Sequence, residues 1–318
     1  MANFARLLLS ACAAFSLLLV LLILSDTAFL SPWPRFRNTQ GWRKTSDFEE
    51  ILQQTAMPNS TVIITTLNEA WSTSNSMIDL FLQSLNTTGL VDHLLIVALD
   101  NRSYERCLDI HSHCFQLNTG VDFSRSEKVY MTPDFLRMMW TRIDFLRQVL
   151  EKGFSFIFSY LSPDEDFQVA SDFYVGDPLS PANPVNTGFV YARANNRTIS
   201  LYKYWFKARE VFPGLNDQNV FDKIKQDKDL EEIGIRMRFL DTKYISGFCQ
   251  PSDDLEKVVT MHANCCFGLQ NKLDDLGRIL ADWNRYRLST NGTDKVRWSA
   301  PKACLDSSKV LHSENYTT

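Results

Sequence analysis

The chain has 318 residues, 45% hydrophobic and 22% charged, an ordinary composition for one large domain with appendages. Its net charge of −4 leaves no basic footprint and argues against nucleic acid as a partner. From the N-terminus, Leu7 to Leu24 is an 18-residue run without a charge, about 27 Å long as a helix. Arg6 precedes the run and Asp26 follows it, so the positive-inside bias puts residues 1–6 in the cytoplasm and the rest in the lumen. A cleaved signal peptide is the rival reading. The run is long for one, and Asp26 stands where a cleavage site at Ala28 wants a small residue. An uncleaved signal anchor over 7–24 is the expectation. Residues 25–58 hold Pro32, Pro34 and Pro58 without a sustained period and read as a stem.

The periodic body, 59–285, opens with Thr61–Leu67, a β-branched run bounded by Asn68-Glu69 that predicts a buried strand. A helix over Met77–Leu85 and a strand over Leu94–Leu99, ending in Asp100, come next. A short helix over Tyr104–Cys114 and a short strand over Lys128–Met131 complete this part. Pro133–Lys152 is the clearest helix. Thr132 caps it, Pro133 suits its first turn and Asp134 complements the positive end of the dipole. Leu136, Met139, Ile143, Leu146 and Leu150 form one apolar stripe, and Gly153 ends it. A strand over 154–158 follows, then strands over Phe167–Ala170 and Gly188–Ala192 and helices over Thr198–Val211 and Asp217–Gln226. Strands near Arg236–Leu240 and Val258–Met261 and a helix over Leu269–Trp283 close the body. Residues 286–318 read as an irregular polar extension, with Trp298, Pro301 and Cys304 docking back. Alternating continuous strands and helices predict an α/β fold, a mainly parallel sheet with helices on both faces. In such sheets ligands sit beyond the carboxyl ends of the strands, here at Asn68, Asp100 and Ser159. Asn59, Asn86, Asn101, Asn196, Asn291 and Asn315 each begin an N-x-S/T sequon. Six of the seven cysteines lie beyond the apolar run, an even number that suits disulfides in an oxidising compartment. The sequence does not choose their pairing, although Cys107 and Cys114 are close enough for a local bridge.

Five strings then carry a resemblance: Asp92-His93-Leu94-Leu95-Ile96-Val97-Ala98-Leu99-Asp100; Asp166-Phe167-Gln168-Val169-Ala170-Ser171-Asp172; Asn186-Thr187-Gly188-Phe189; Asp217-Gln218-Asn219-Val220; and Met261-His262-Ala263-Asn264-Cys265-Cys266. In this order the chain from about 61 to 304 resembles the plant nucleotide-diphospho-sugar transferases, which include cell-wall arabinosyl- and xylosyltransferases. The resemblance implies a Rossmann-like GT-A fold with a mixed, mainly parallel sheet and a single-pass type II Golgi anchor. It also implies a nucleotide-sugar donor, a glycan or glycoprotein acceptor, Mn²⁺ or Mg²⁺, and retention of anomeric configuration. Thr65, Thr66, Leu67 and Asn68 would line the nucleotide pocket, with Asp100 accepting from ribose or base. Asn186, Thr187 and Gly188 would hold the sugar hydroxyls. Asp217 would bind a hydroxyl, and Gln218 would face the side of the sugar opposite the leaving group. An ordinary strand end at 65–68 and 100, a turn at 186–188 and a helix cap at Asp217 are the bland alternatives.

The metal half of the resemblance is broken. A departing diphosphate is commonly stabilised by a divalent cation, and carboxylates with one imidazole suit Mn²⁺ or Mg²⁺. His262 matches the family's histidine ligand. Its alternatives are a core histidine and a zinc site with Cys265 and Cys266. Where the family's strand runs into an Asp-x-Asp, this chain has Phe158-Ser159-Tyr160-Leu161-Ser162-Pro163. Asp164-Glu165-Asp166 follows and is literally an Asp-x-Asp, but it aligns with the acidic turn after the missing loop. Asp164 and Asp166 are therefore only substitute ligands. Three classes remain open: a Golgi glycosyltransferase, an inactive or truncated relative of one, and a lumenal lectin-like binding module, which the ordered donor-site strings disfavour.

Overall fold

The computed structural model describes residues 48–118, 130–157, 165–289 and 296–314. The apolar run 7–24, residues 158–164 with Asp164, and Lys128 and Val129 of the expected strand lie outside them; Tyr130 and Met131, its other half, form a turn. Among the described residues no helix is long and apolar enough to cross a membrane.

Seven strands form one sheet: β1 Thr61–Leu67, β2 Leu94–Ala98, β3 Cys114–Gln116, β4 Ser155–Ile157, β5 Phe167–Ser171, β6 Val185–Ala192 and β7 Met237–Leu240. Their order is β3-β2-β1-β4-β6-β5-β7. β1 lies parallel to β2 and β4, β2 to β3, and β5 to β7, while β6 runs antiparallel to β4 and β5. One strand is thus reversed in a sheet whose other six run the same way. β1, β2 and β5 are almost wholly buried, which accounts for their unbroken apolar and β-branched runs. A second, two-stranded parallel sheet pairs β8 Ile245–Gly247 with β9 Thr260–His262.

Helices cover the sheet. α1 Phe48–Thr55 precedes β1, and the short α2 Glu69–Ser72 and α3 Met77–Asn86 follow it. α4 Asn101–Ile110 follows β2, and α5 Pro133–Glu151 leads into β4. Thr132 caps α5 by accepting from the Phe135 amide, with Pro133 in the first turn. α6 Asn196–Ala208 and α7 Asp217–Ile224 pack with α5. Their contact is aromatic: Trp205 lies 4.6 Å from Phe221 and 5.3 Å from Tyr202, ring centre to ring centre, and Phe167 of β5 is 5.4 Å from Phe221. α8 Lys228–Ile233, α9 Leu269–Leu288 and α10 Lys302–Glu314 complete the chain.

Two expectations fail here. The end of the supposed stem is helix α1, with Ile51 and Leu52 buried and Phe48 against Phe115 and Phe145. Its helical stripe is short, and the residues it packs on are remote in sequence. The polar C-terminal extension carries α10, held by a disulfide and by buried carboxylates of α9 rather than by a broad apolar face. Asp275 accepts from the Cys304 amide and Asp282 from the Ser299 amide. Trp298 and Cys304 do dock back, into a small cluster with Phe248, Ala263, Cys266 and Ile279.

Candidate functional site

The parallel strands define two edges. At the carboxyl edge β1 and β2 deliver Asn68 and Asp100, β5 delivers Asp172, and the reversed strand β6 begins with Asn186, Thr187 and Gly188. Asp100 is the N-cap of α4, its Oδ1 accepting from the Ser103 amide at 2.8 Å. Its Oδ2 accepts from the Glu69 amide, also at 2.8 Å, so one carboxylate joins the loops after β1 and β2. Asn68 is buried at the N-terminus of α2, and Thr65 and Thr66 are half-buried near the end of β1.

α7 brings in the acidic pair. Asn216, not Asp217, is its cap, accepting from the Asn219 amide at 2.8 Å. Asp217 is therefore spared for tertiary contacts. Its Oδ2 accepts from Arg142 Nη2 at 2.6 Å and from the Thr187 hydroxyl at 2.9 Å. Gln218 Oε1 accepts from the Thr187 amide at 3.1 Å. Adjacent residues of one helix thus hold Thr187 by side chain and by backbone. Arg142 projects from α5, beside the apolar stripe, and its Nε is buried without a hydrogen-bond partner.

His262 ends β9 and lies against the start of β6. A Cβ added at Gly188 would meet His262 Cε1 at 2.7 Å and Asn186 Oδ1 at 3.0 Å. The bare backbone at 188 therefore makes room for the imidazole. Burial, then the nearby charges of Lys272 and Arg142, push the His262 imidazole down to about 4, so it is neutral at ordinary pH. Asp172 Oδ1 accepts from Asn186 Nδ2 at 2.6 Å and from Asn264 Nδ2 at 2.8 Å. Asn264 in turn accepts from the Cys249 amide, and a Cβ at Gly247 would collide with its side-chain amide. Lys272, in the first turn of α9, places its ammonium 5.6 Å from the centre of the Trp71 ring on α2.

Asn186, Gly188, Asp217, Gln218 and His262 thus form one contiguous group, while Asp100, Asn68 and the two threonines line the neighbouring strand ends. Arg142, Asp172, Asn264 and Lys272 are additional members that sequence reasoning did not single out. Asp172 and Asn264 sit inside the quoted strings. Arg142 is 75 residues from Asp217, and its only signal was a charge next to an apolar helix stripe.

Asp166, the substitute ligand of the sequence reading, lies apart from this group. It stands just before β5, at the amino edge, opposite all the residues above. It is fully buried, and it accepts from Arg197 Nε and Nη2, both at 2.7 Å, from Asn195 Nδ2 at 2.9 Å and from the Arg236 amide at 3.1 Å. Burial alone would raise its pKa; the bonds from Arg197 and Arg236 outweigh that and hold the carboxyl well below the usual carboxylate range. The zinc reading fails. Cys265 is bridged to Cys249 and Cys266 to Cys304, and Cys107 is bridged to Cys114 as the spacing allowed. Among the described residues no three His, Cys, Asp or Glu side chains are placed to hold a metal ion. The Asp217 carboxylate is committed to Arg142 and Thr187. The described residues therefore do not fit the divalent centre the resemblance implies.

Residues 89–276 match the family model described as nucleotide-diphospho-sugar transferase. Among curated proteins the chain is similar to "Uncharacterized protein At4g15970" of Arabidopsis thaliana, 43% identical over 309 residues, covering 92% of this chain and 84% of the relative. It is also similar to "Uncharacterized protein At1g28695" of the same plant, 37% identical over 277 residues, covering 80% and 82%. No solved structure matches it. With a family match over more than half its length, spanning β2 to the start of α9 and most of the carboxyl-edge group, the chain belongs to the nucleotide-diphospho-sugar transferase family.

Proposed function

We propose that this protein is a glycosyltransferase that moves a sugar from a nucleotide-sugar donor to a cell-wall glycoprotein or polysaccharide at the carboxyl edge of its sheet. The observation that carries the reading is the grip of Asp217 and Gln218 on Thr187, next to Asn186, Gly188 and His262. Such a cluster offers fixed donors and acceptors for sugar hydroxyls beyond the strand ends, where open α/β sheets take ligands. In the transfer, the bond between the anomeric carbon and the diphosphate oxygen breaks with its electron pair on that oxygen. The acceptor oxygen bonds to the anomeric carbon and gives up its proton to solvent. Asp217 holds a sugar hydroxyl, Gln218 lies on the face opposite the leaving group, and configuration is retained. Asn68, Thr65, Thr66 and Asp100 line the nucleotide. The apolar run 7–24 anchors the chain as a type II Golgi membrane protein with the sheet in the lumen; the three disulfides support an oxidising compartment.

The purified full-length chain, given a panel of nucleotide sugars and wall glycopeptides, is expected to release nucleoside diphosphate and yield a product heavier by one sugar with unchanged anomeric configuration. A panel that gives neither donor hydrolysis nor transfer removes the catalytic reading. A second reading, an inactive or truncated form, is favoured by one observation: the remaining Asp-x-Asp ends at the amino edge, away from the site. Sequencing transcripts across the codons for Phe158 and Ser159 tests it. A longer transcript carrying an Asp-x-Asp there supports the truncated form, and a genome and transcript set without such a segment removes the truncated form.

A further inference from the structure

We propose that the amino edge of the sheet carries N-linked glycans on Asn59, Asn86 and Asn196, while Asn101 at the carboxyl edge stays bare. The inference rests on the lumenal placement of the body in the reading above and goes beyond it by assigning a sugar-bearing face to the protein itself. Four of the six sequons begin within the described residues, and strand direction sorts them. Asn59 stands just before β1. Helix α3 returns the chain from the end of β1 toward the start of β2, and its last residue is Asn86. The reversed strand β6 finishes at Ala192, so Asn196, the first residue of α6, lies at the same amino edge. Asn101, by contrast, follows the carboxyl end of β2, next to Asp100. All four asparagines are exposed, so exposure does not separate them. Their surroundings do.

Attachment is a group transfer onto the growing chain. The asparagine Nδ2 bonds to the anomeric carbon of an oligosaccharide carried on a polyprenyl diphosphate. The bond from that carbon to the diphosphate oxygen breaks with its electron pair on the oxygen, and the amide gives up one proton to solvent. The enzyme of the compartment also reads the hydroxyl two residues on, so a sequon that folds first escapes. Thr61 is buried only when β1 pairs with β4, where it lies opposite Ser155, far along the chain. Thr198 is buried when α6 packs with α5 and with α7, and α7 follows it in the chain. Thr87 stays exposed even in the fold. Ser103 is different. It is fully buried, its hydroxyl donates to the Asp100 carbonyl at 3.0 Å, and its amide donates to the Asp100 carboxylate, all within one turn. The bridge from Cys107 to Cys114 closes the same helix over a separation of 7 residues. Asn101 itself accepts from Gln116 Nε2 at 2.5 Å. The three amino-edge sequons moreover end in threonine, whose β-branch holds its hydroxyl in fewer rotamers than the serine at 103. A bulky, hydrated glycan sits clear of the carboxyl-edge group when it hangs from the amino edge. On Asn101 it would crowd the loop that Asp100 joins to β1.

The full-length chain, expressed in plant cells, tests this directly. Peptide-N-glycosidase A in heavy-oxygen water turns each glycan-bearing asparagine into a labelled aspartate, and peptide mass spectrometry then reads every sequon. Label is expected at residues 59, 86 and 196, with residue 101 left as unlabelled asparagine. On a gel of the partly deglycosylated protein, Asn59→Gln, Asn86→Gln and Asn196→Gln should each remove one step of the ladder, and Asn101→Gln none. Label at residue 101, or its lack at any of the other three, overturns the inference and leaves the lumenal placement standing. Proteolysis of sealed microsomes reads that placement separately. A body protected until detergent is added, yet without label, overturns the inference alone. A body digested without detergent removes the lumenal placement and takes this inference with it.

Discussion

The two edges of the sheet each bury an aspartate against arginine, and they use it differently. At the amino edge Asp166 is saturated by two guanidiniums, an asparagine amide and a backbone amide, while the arginine side chains remain 42% and 52% exposed. Every lone pair is spent on joining the start of β5 to α6 and to the segment before β7. At the carboxyl edge Asp217 is almost as buried, yet its guanidinium partner keeps an unpartnered nitrogen, and its other partner is a hydroxyl in a row of polar side chains. A closed network holds a fold together, whereas a network with unspent donors beside a strand end can receive something. Burial of a charged pair does not separate the two cases; the accounting of its hydrogen bonds does.

The sharpest way to break this contrast is to neutralise each aspartate. Asp217→Asn is expected to lower donor turnover by about a hundredfold or more, the scale of one lost transition-state contact, even in the folded fraction. Asp166→Asn is expected to cost about 3 kcal/mol of stability, since it leaves two arginines without their shared counter-ion, while the folded protein turns over normally. Urea unfolding and turnover per folded molecule measure both, and equal loss of turnover in the two variants would erase the distinction between the edges. Gly188→Ala comes next. Its new methyl would press on His262, so a loss of about 1–3 kcal/mol is expected, the usual cost of overpacking, and a melting curve reads it.

Acid sharpens the amino-edge side. The Asp166 carboxyl is held below its ordinary 3.8, so its contribution is complete above that value and is lost as pH falls below it. The stability gap between the native chain and Asp166→Asn should therefore stay constant from neutral pH down to roughly pH 4 and narrow below it. A gap that narrows between pH 7 and 5 would assign the effect to another group. The smallest effect is expected at Arg102→Ala. That residue pairs with Glu69 at the carboxyl edge but is 73% exposed, so about 0.5 kcal/mol or less should be lost. A larger value would mean that the edge as a whole, rather than the Asp217 network, is sensitive.

What could be read in the sequence follows the range of the interactions involved. β1 and α5 declared themselves because their signals are local: a β-branched run in one, and a capping threonine, proline and apolar stripe in the other. The carboxyl-edge group was legible wherever its residues came as short strings, as at Asn186–Gly188 and Asp217-Gln218, which the structure brings together. Helix α1 was hidden because only Ile51, Leu52 and Phe48 commit it to the core, against partners far along the chain. Helix α10 was hidden because Asp275 and a disulfide fix it, and neither leaves a periodic trace. Arg142 escaped for the same reason: its meaning comes from a carboxylate on another helix. In the sequence Asp166 reads chiefly as part of an acidic turn and only secondarily as a substitute ligand, and the strand direction is what tells which edge it occupies.

The neighbouring cysteines 265 and 266 are bridged in opposite directions, one back to Cys249 after β8 and the other forward to Cys304 in α10. The turn bearing His262 and Asn264 is thereby riveted on both sides, and the forward rivet spans 38 residues. Helix α10 is thus scaffolding for the turn that carries His262 and Asn264, however dispensable its polar sequence looks. A polypeptide stopped between Trp298 and Cys304 would retain the whole sheet and every site residue and still carry a bare Cys266 thiol beside that turn. Such a product is expected to run partly as a covalent dimer on a non-reducing gel, and a C-terminal fusion that displaces α10 would disturb sugar transfer from the far end of the chain.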